Sequence, residues 1–254
     1  MKRVIAACAL GVCLAGGARV ARADETAGKI RDVSAKNQGS LAVLKGVIEV
    51  HISMGGQTQD QEAPVEFPAC ALGGGLFVAV NPEDSSTYQN PMAQMQGLQM
   101  EVSGKEYKLV YPDGTETPAK IEGVDSEYGL AFIRPETGAK AFLAVKPGGA
   151  KSLAVGDPFV ALRLVSSGRS EVVSELLRVD ALLMKPSTMC RFSSAATPVG
   201  VPAFTLDGDF VGLTCVYRES RSGAQNAGAA HQVVLPAARL SEIAAQIKPA
   251  PAQK

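Results

Sequence analysis

Few side chains in this 254-residue chain could carry chemistry. His51 and His231 are its two imidazoles, the side-chain type that gains and loses a proton near neutral pH. A hydrolytic site needs a nucleophile, a base to take its proton and a group to orient the base. Ser193, Ser194 and the thiols of Cys190 and Cys215 are the candidate nucleophiles. Yet His51 falls in the first strand-like segment and His231 in the last, so both read as surface or packing residues. A cysteine without a histidine beside it is a poor nucleophile. No Cys/His spacing suggests zinc. The stretch "PGGAKS" lacks the glycine that a phosphate loop places directly before its lysine, here Lys151, and reads as linker. Gly73-Gly74-Gly75 reads as a turn. No cofactor and no metal are expected.

The N-terminus carries a different signal. Lys2 and Arg3 precede a small-residue apolar run, Val4 to Gly17, too short to span a bilayer. Ala21-Arg22-Ala23 then offers a cleavage site, so residues 1–23 read as a secretory signal peptide, with a periplasmic or secreted destination. Val12 before Cys13 argues against a lipid anchor, and no membrane anchor is expected after signal removal. Losing Lys2, Arg3, Arg19 and Arg22 leaves four more acidic than basic side chains, a net charge of −4. Such a balance disfavours nucleic-acid binding. Cys8 and Cys13 also leave, and three cysteines allow at most one bridge. A Cys190–Cys215 bridge, a pairing through Cys70, and free buried thiols all stay open.

The remaining pattern belongs to short strands. Residues 24–40 are polar and weakly periodic and read as a loose arm. "LAVLKGVIEVHISM" alternates β-branched residues as a strand does, and "GGQTQDQEAP" after it reads as a loop. "VEFPACAL" and "GLFVAV" form a hairpin across the three glycines. Residues 81–100 read as a long loop in which Met92, Met95 and Met100 either pack down or contact a peptide. Asp113-Gly114 and Asp207-Gly208 each separate two strand patterns, a hairpin signal. A Gly-, Pro- and Lys-rich stretch at 135–152 reads as the connection between two halves. "LPAARLSEIAAQI" alone has helical spacing, with Leu240, Ile243 and Ile247 on one face.

Four phrases, in order, resemble the protease domain of the HtrA/Deg branch of the trypsin-like family. They are "LVYPDGTETPAKIEGVDSEYGLAFIRPE", "FLAVKPGGAKSLAVGDPFVAL", "SSAATPVGVPAFTLDGDFVGL" and "GAAHQVVLPAARLSEIAAQI", spanning about residues 41–247. The resemblance implies an all-β fold of two six-stranded barrels, 41–142 and 143–236, then a C-terminal helix over 237–247 and a disordered tail over 248–254. Only seven residues follow that helix, so no PDZ-like module is expected.

The same resemblance implies that the reaction has been lost. The family's histidine falls at Asn81 or Pro82, its aspartate at Gly129 and its serine at Val199. Thr197, Pro198, Gly200 and Val201 occupy the turn whose backbone N–H groups form the oxyanion hole. Proline has no N–H, and neither valine nor glycine can serve as nucleophile or carboxylate. The expectation is therefore an exported pseudoprotease, not an enzyme, that binds a peptide or protein in the groove between the barrels or acts structurally. The alternatives are an active serine endopeptidase with a rearranged site, and a scaffold whose groove has closed.

Overall fold

The computed structural model describes residues 25–54, 57–84, 99–136, 144–146, 152–166, 170–184, 187–194, 196–218 and 230–247. The expected signal peptide, the tail over 248–254, Met92 and Met95 lie outside them.

Strands β1 (Leu41–Met54), β2 (Gln57–Gly73), β3 (Leu76–Val80), β4 (Gln99–Val110), β5 (Glu116–Asp125) and β6 (Leu130–Pro135) close into one antiparallel barrel in the order β1-β2-β3-β6-β5-β4. Alternation along each strand gives the barrel two buried faces. Ala42, Leu44, Ala69, Ala71, Phe77, Ala79, Leu109, Ala131 and Ile133 fill its interior. Their neighbours Leu41, Val43, Cys70, Val78, Leu130 and Phe132 point the other way, into a second cluster shared with Val160, Phe204, Leu213 and Leu235 of the following unit. Apolar residues run unbroken through Leu41–Leu44 of β1 and through β3 because both faces are covered there.

The second unit contains β7 (Pro158–Val165), β8 (Glu171–Arg178), β9 (Ala181–Leu183), β10 (Met189–Arg191), β11 (Pro202–Phe204), β12 (Phe210–Arg218) and β13 (Ala230–Pro236). Two closed six-stranded barrels were expected. Here the strands form one seven-stranded sheet, β8-β7-β11-β12-β13-β10-β9. The difference lies at Val179-Asp180, where one long strand pattern breaks into β8, paired with β7, and β9, paired with β10. Val179 there bonds to Gly156 and Asp157, and Asp180 to Arg191. If residues 171–183 are counted as one bent strand, the order repeats that of the first barrel.

Two further expectations change. Residues 25–37, read as a loose arm, form a helix, α1, that runs into a 3-10 turn at Gln38–Ser40. Val33 is buried, and Ile30 packs on the same cluster. Lys36 Nζ donates to the Asp207 carbonyl at 3.3 Å and Asn37 Nδ2 to that of Gly208 at 3.4 Å, so α1 docks on the β11–β12 turn. Residues 57–64, read as loop, belong to β2 and pair with β1 from Val47 to Met54. With β4 they extend the barrel as a three-stranded ribbon about 25 Å long at strand rise.

The Asp113-Gly114 and Asp207-Gly208 turns each join two paired strands, closed by Tyr111 N–H to Thr115 O at 3.0 Å and Thr205 N–H to Asp209 O at 2.9 Å. The C-terminal helix, α2 (Ala237–Gln246), buries Leu240 and Ile243 on the second unit. Ile247 packs against the same cluster and also reaches the first barrel: its Cδ1 stands 2.7 Å from where a Cβ on Gly123 would lie. No described helix is long and apolar enough to cross a membrane.

Candidate functional site

The three separated segments singled out in the sequence meet. Asn81, just beyond β3, donates its backbone N–H to the Gly129 carbonyl at 2.8 Å. Gly200 lies against Val80, the residue before Asn81. A Cβ on Gly200 would stand 3.1 Å from Val80 Cγ2 and 3.2 Å from its backbone nitrogen. Gly200 also has φ +81°, in the left-handed region that glycine enters without strain. Both facts require glycine there, and both bring the 197–201 turn of the second unit onto the end of β3 in the first. Val199 is the neighbour of that contact and is half-buried.

The 81–84 turn is built by Asn81. Its Oδ1 accepts the Glu83 N–H at 3.1 Å and its carbonyl accepts the Asp84 N–H at 3.3 Å. Tyr107 on β4 steadies the turn by donating its hydroxyl to Glu83 at 3.0 Å. The turn also places a carboxylate that sequence reasoning missed. A Cβ on Gly129 would lie 3.3 Å from Asp84 Oδ2. Only the Asn-Pro-Glu-Asp composition of the turn hints at it, since the family pattern looks for that carboxylate at position 129 itself.

The N–H groups of the 196–201 turn are already committed. Ser194 Oγ accepts from Ala196 at 3.1 Å and from Thr197 at 3.0 Å. Gly200 N–H donates to the Thr214 carbonyl at 2.7 Å and Val201 N–H to Thr214 Oγ1 at 2.9 Å. Thr214, fully buried on β12, gives its own hydroxyl proton to the Pro198 carbonyl at 3.1 Å. Pro198 has no N–H, which leaves Val199 with the one amide of this turn outside these bonds. An oxyanion hole needs at least two donors converging on one point.

The serine hydroxyls are committed as well. Ser193 Oγ donates to Asp180 at 2.6 Å and Ser194 Oγ to Glu175 Oε1 at 2.7 Å, while Thr197 Oγ1 donates to Glu175 Oε2. Glu175, on β8, thereby holds both ends of the 194–197 bend. His51 lies on the ribbon, with Nδ1 2.7 Å from Asp60 Oδ1. That hydrogen bond, the largest influence on it, raises its pKa above the ordinary histidine value. His231 lies on β13 opposite Tyr217.

The three thiols are free, which removes the Cys190–Cys215 bridge. Cys215 pairs with Val233 and Cys190 with Val234, on opposite edges of β13. Two inter-strand spacings, about 9.5 Å, separate them, beyond the roughly 7 Å that a disulfide spans between Cα atoms. They also face different clusters. Burial pushes the Cys70 and Cys215 thiols up to about 12 and raises that of Cys190, so none is an activated thiolate.

Two features around the convergence can receive a ligand. An open cleft of about 670 Å³ is lined by Arg191, Phe192, Ser193, Ser194, Ala230, His231 and Gln232. Separately, β11 pairs with β12 only as far as Leu213, so among the described residues no strand lies along that edge of β12 beyond Thr214. An unpaired edge accepts an extended peptide through backbone hydrogen bonds.

The chain matches no family model and no curated protein. Among solved structures it is similar to an HtrA-type protease, AlgW, carrying a serine-to-alanine substitution, with a tripeptide (TM-score 0.55, 15% identity, covering 86% of this chain and 63% of that one). The same protease with a decapeptide gives a TM-score of 0.55 and 13% identity, covering 86% of this chain and 66% of that one. The chain thus shares the fold of HtrA-type proteases and spans about two thirds of the length of these neighbours.

Proposed function

We propose that this protein is an exported pseudoprotease of the HtrA-like, trypsin-type fold, with two barrel-like units, that binds an extended peptide or protein segment between them without cleaving it. The observation that carries this reading is the convergence of Asn81, Gly129 and the 197–201 turn, where the hydroxyls of Thr197 and Thr214 are bonded to Glu175 and Pro198 and no imidazole stands among the described residues. Proton transfer from a nucleophile requires a base within hydrogen-bond reach, and the side chains brought together are an amide, a glycine and a valine. Asp84 brings a carboxylate to Gly129, but among the described residues no imidazole stands beside it. The committed N–H groups of Thr197, Gly200 and Val201 take away the oxyanion donors independently.

Binding does not need any of those groups. The edge of β12 offers backbone partners, the cleft offers a side-chain pocket, and the HtrA-type neighbours carry peptides as bound ligands. The test is amide NMR on the mature protein with pooled extended peptides, followed by prolonged incubation with unfolded casein. Shifts should cluster at residues 214–218 and 196–201 while casein stays intact. Casein cleavage would contradict the inactive assignment, and shifts absent from both segments would contradict peptide binding.

A further inference from the structure

The cleft lined by residues 191–194 and 230–232 has an uneven supply of hydrogen-bonding groups. On one wall nearly everything is satisfied internally. Ser194 gives its proton to Glu175 and accepts two backbone N–H groups, and its own N–H goes to Gln232 Oε1 at 3.1 Å. Both Glu175 oxygens are occupied, by Ser194 and Thr197. Ser193 gives its proton to Asp180 and keeps acceptor capacity. What remains toward the cleft is mostly donors. Among the described residues Arg191, half-buried on β10, makes no ion pair or side-chain hydrogen bond, and the Gln232 amide NH₂ donates to none.

The Arg191 side chain carries five N–H donors and no acceptor, and no described residue takes up any of those donors. Its planar fork matches a carboxylate, which it binds through two parallel hydrogen bonds. We infer that the cleft bounded by residues 191–194 and 230–232 takes a carboxylate of the bound peptide, from an acidic side chain or the C-terminus, on Arg191 with the Gln232 amide beside it. This rests on the peptide-binding reading above and gives it a ligand class. The acidic neighbours Glu175 and Asp180 make the preference depend on Arg191 alone. Without that cation the wall is net acidic, and the preference reverses.

The test compares fluorescein-labelled pools of extended peptides, randomised except for one fixed residue: Asp, Asn or Lys. Each pool is made with a free and with an amidated C-terminus, and binding is followed by anisotropy. The Asp pool or the free-C-terminus pool should bind about tenfold more tightly than its neutral counterpart, the worth of a paired charge in a partly buried site. The contrast between the two pools identifies the source of the carboxylate. Arg191→Met, which keeps the packing stem, should remove the preference and favour the Lys pool, while Arg191→Lys should keep part of it. Equal binding of all pools to the unaltered protein, or an unchanged preference in Arg191→Met, would overturn this inference and leave peptide binding intact. No binding by any pool would overturn both.

Discussion

Gly200 is the residue on which the convergence turns. Its φ of +81° and the 3.1 Å approach of Val80 both exclude a side chain. Gly200→Ala should therefore cost about 1–3 kcal/mol, from left-handed strain and displaced packing together. Urea unfolding with an unchanged m-value should show it, whereas a loss under a few tenths of a kcal/mol would mean that the turn stands clear of β3. Val199→Ser should restore no hydrolysis, because a lone hydroxyl without a base gains little over water. A casein assay checks this. His51 makes a pH prediction with a definite sign. Its pKa is raised by the hydrogen bond to Asp60, with Glu49 and Glu101 adding to it against the cost of desolvation. Lys105, which pairs with Glu49 and Glu62, is the nearby cation. Because the folded pKa lies above the unfolded one, the protonated form is favoured in the ribbon. The stabilisation is complete below the ordinary histidine value near 6.5 and is lost as pH rises through the folded pKa. Asp60→Asn should lower the His51 pKa in an NMR titration and flatten that pH dependence. An unmoved titration would mean that the pair does not form in solution.

At the scale of elements, α2 acts as a clasp. Leu240 and Ile243 sit on the second unit, Ile247 on Gly123 of the first barrel, and Arg239 reaches Glu127 in the β5–β6 turn at 3.7 Å. Ile243→Asp would bury an unpaired carboxylate and should cost several kcal/mol, on the order of 3. The melting temperature checks it, and an unchanged value would mean an undocked helix. This helix and most strands were legible because their apolar residues recur at the right period over enough length. The elements that were not legible failed for identifiable reasons. Helix α1 buries only a narrow stripe, Ile30 and Val33, and completes its docking with the polar side chains of Lys36 and Asn37. Residues 57–64 form an exposed ribbon, so Gln, Asp and Glu stand where a half-buried strand would show alternation. Among the described residues no strand pairs with their other edge, and Asp60, Glu62 and Pro64 are of the kind that resists pairing with another chain. Strand β10, at three residues, is too short to show a period at all.

For the molecule as a whole, the positions of the candidate site were legible because they follow strand ends whose order the sequence preserves. The meeting of Asn81, Gly129 and Gly200 was expected in kind. Its hydrogen-bond economy was not, since Glu175 lies 19 residues before Ser194 and Thr214 lies 16 after Pro198, and no spacing rule links them. On the proposed reading, no side chain of this framework acts as a hydrolytic nucleophile. The decisive measurement is treatment of the protein with a serine-directed fluorophosphonate, followed by intact-mass and peptide mapping. No adduct is expected at any serine after an exposure that fully labels trypsin. A stoichiometric adduct on Ser193 or Ser194 would contradict it, because a hydroxyl now held by Asp180 or Glu175 would then be released and activated by a base.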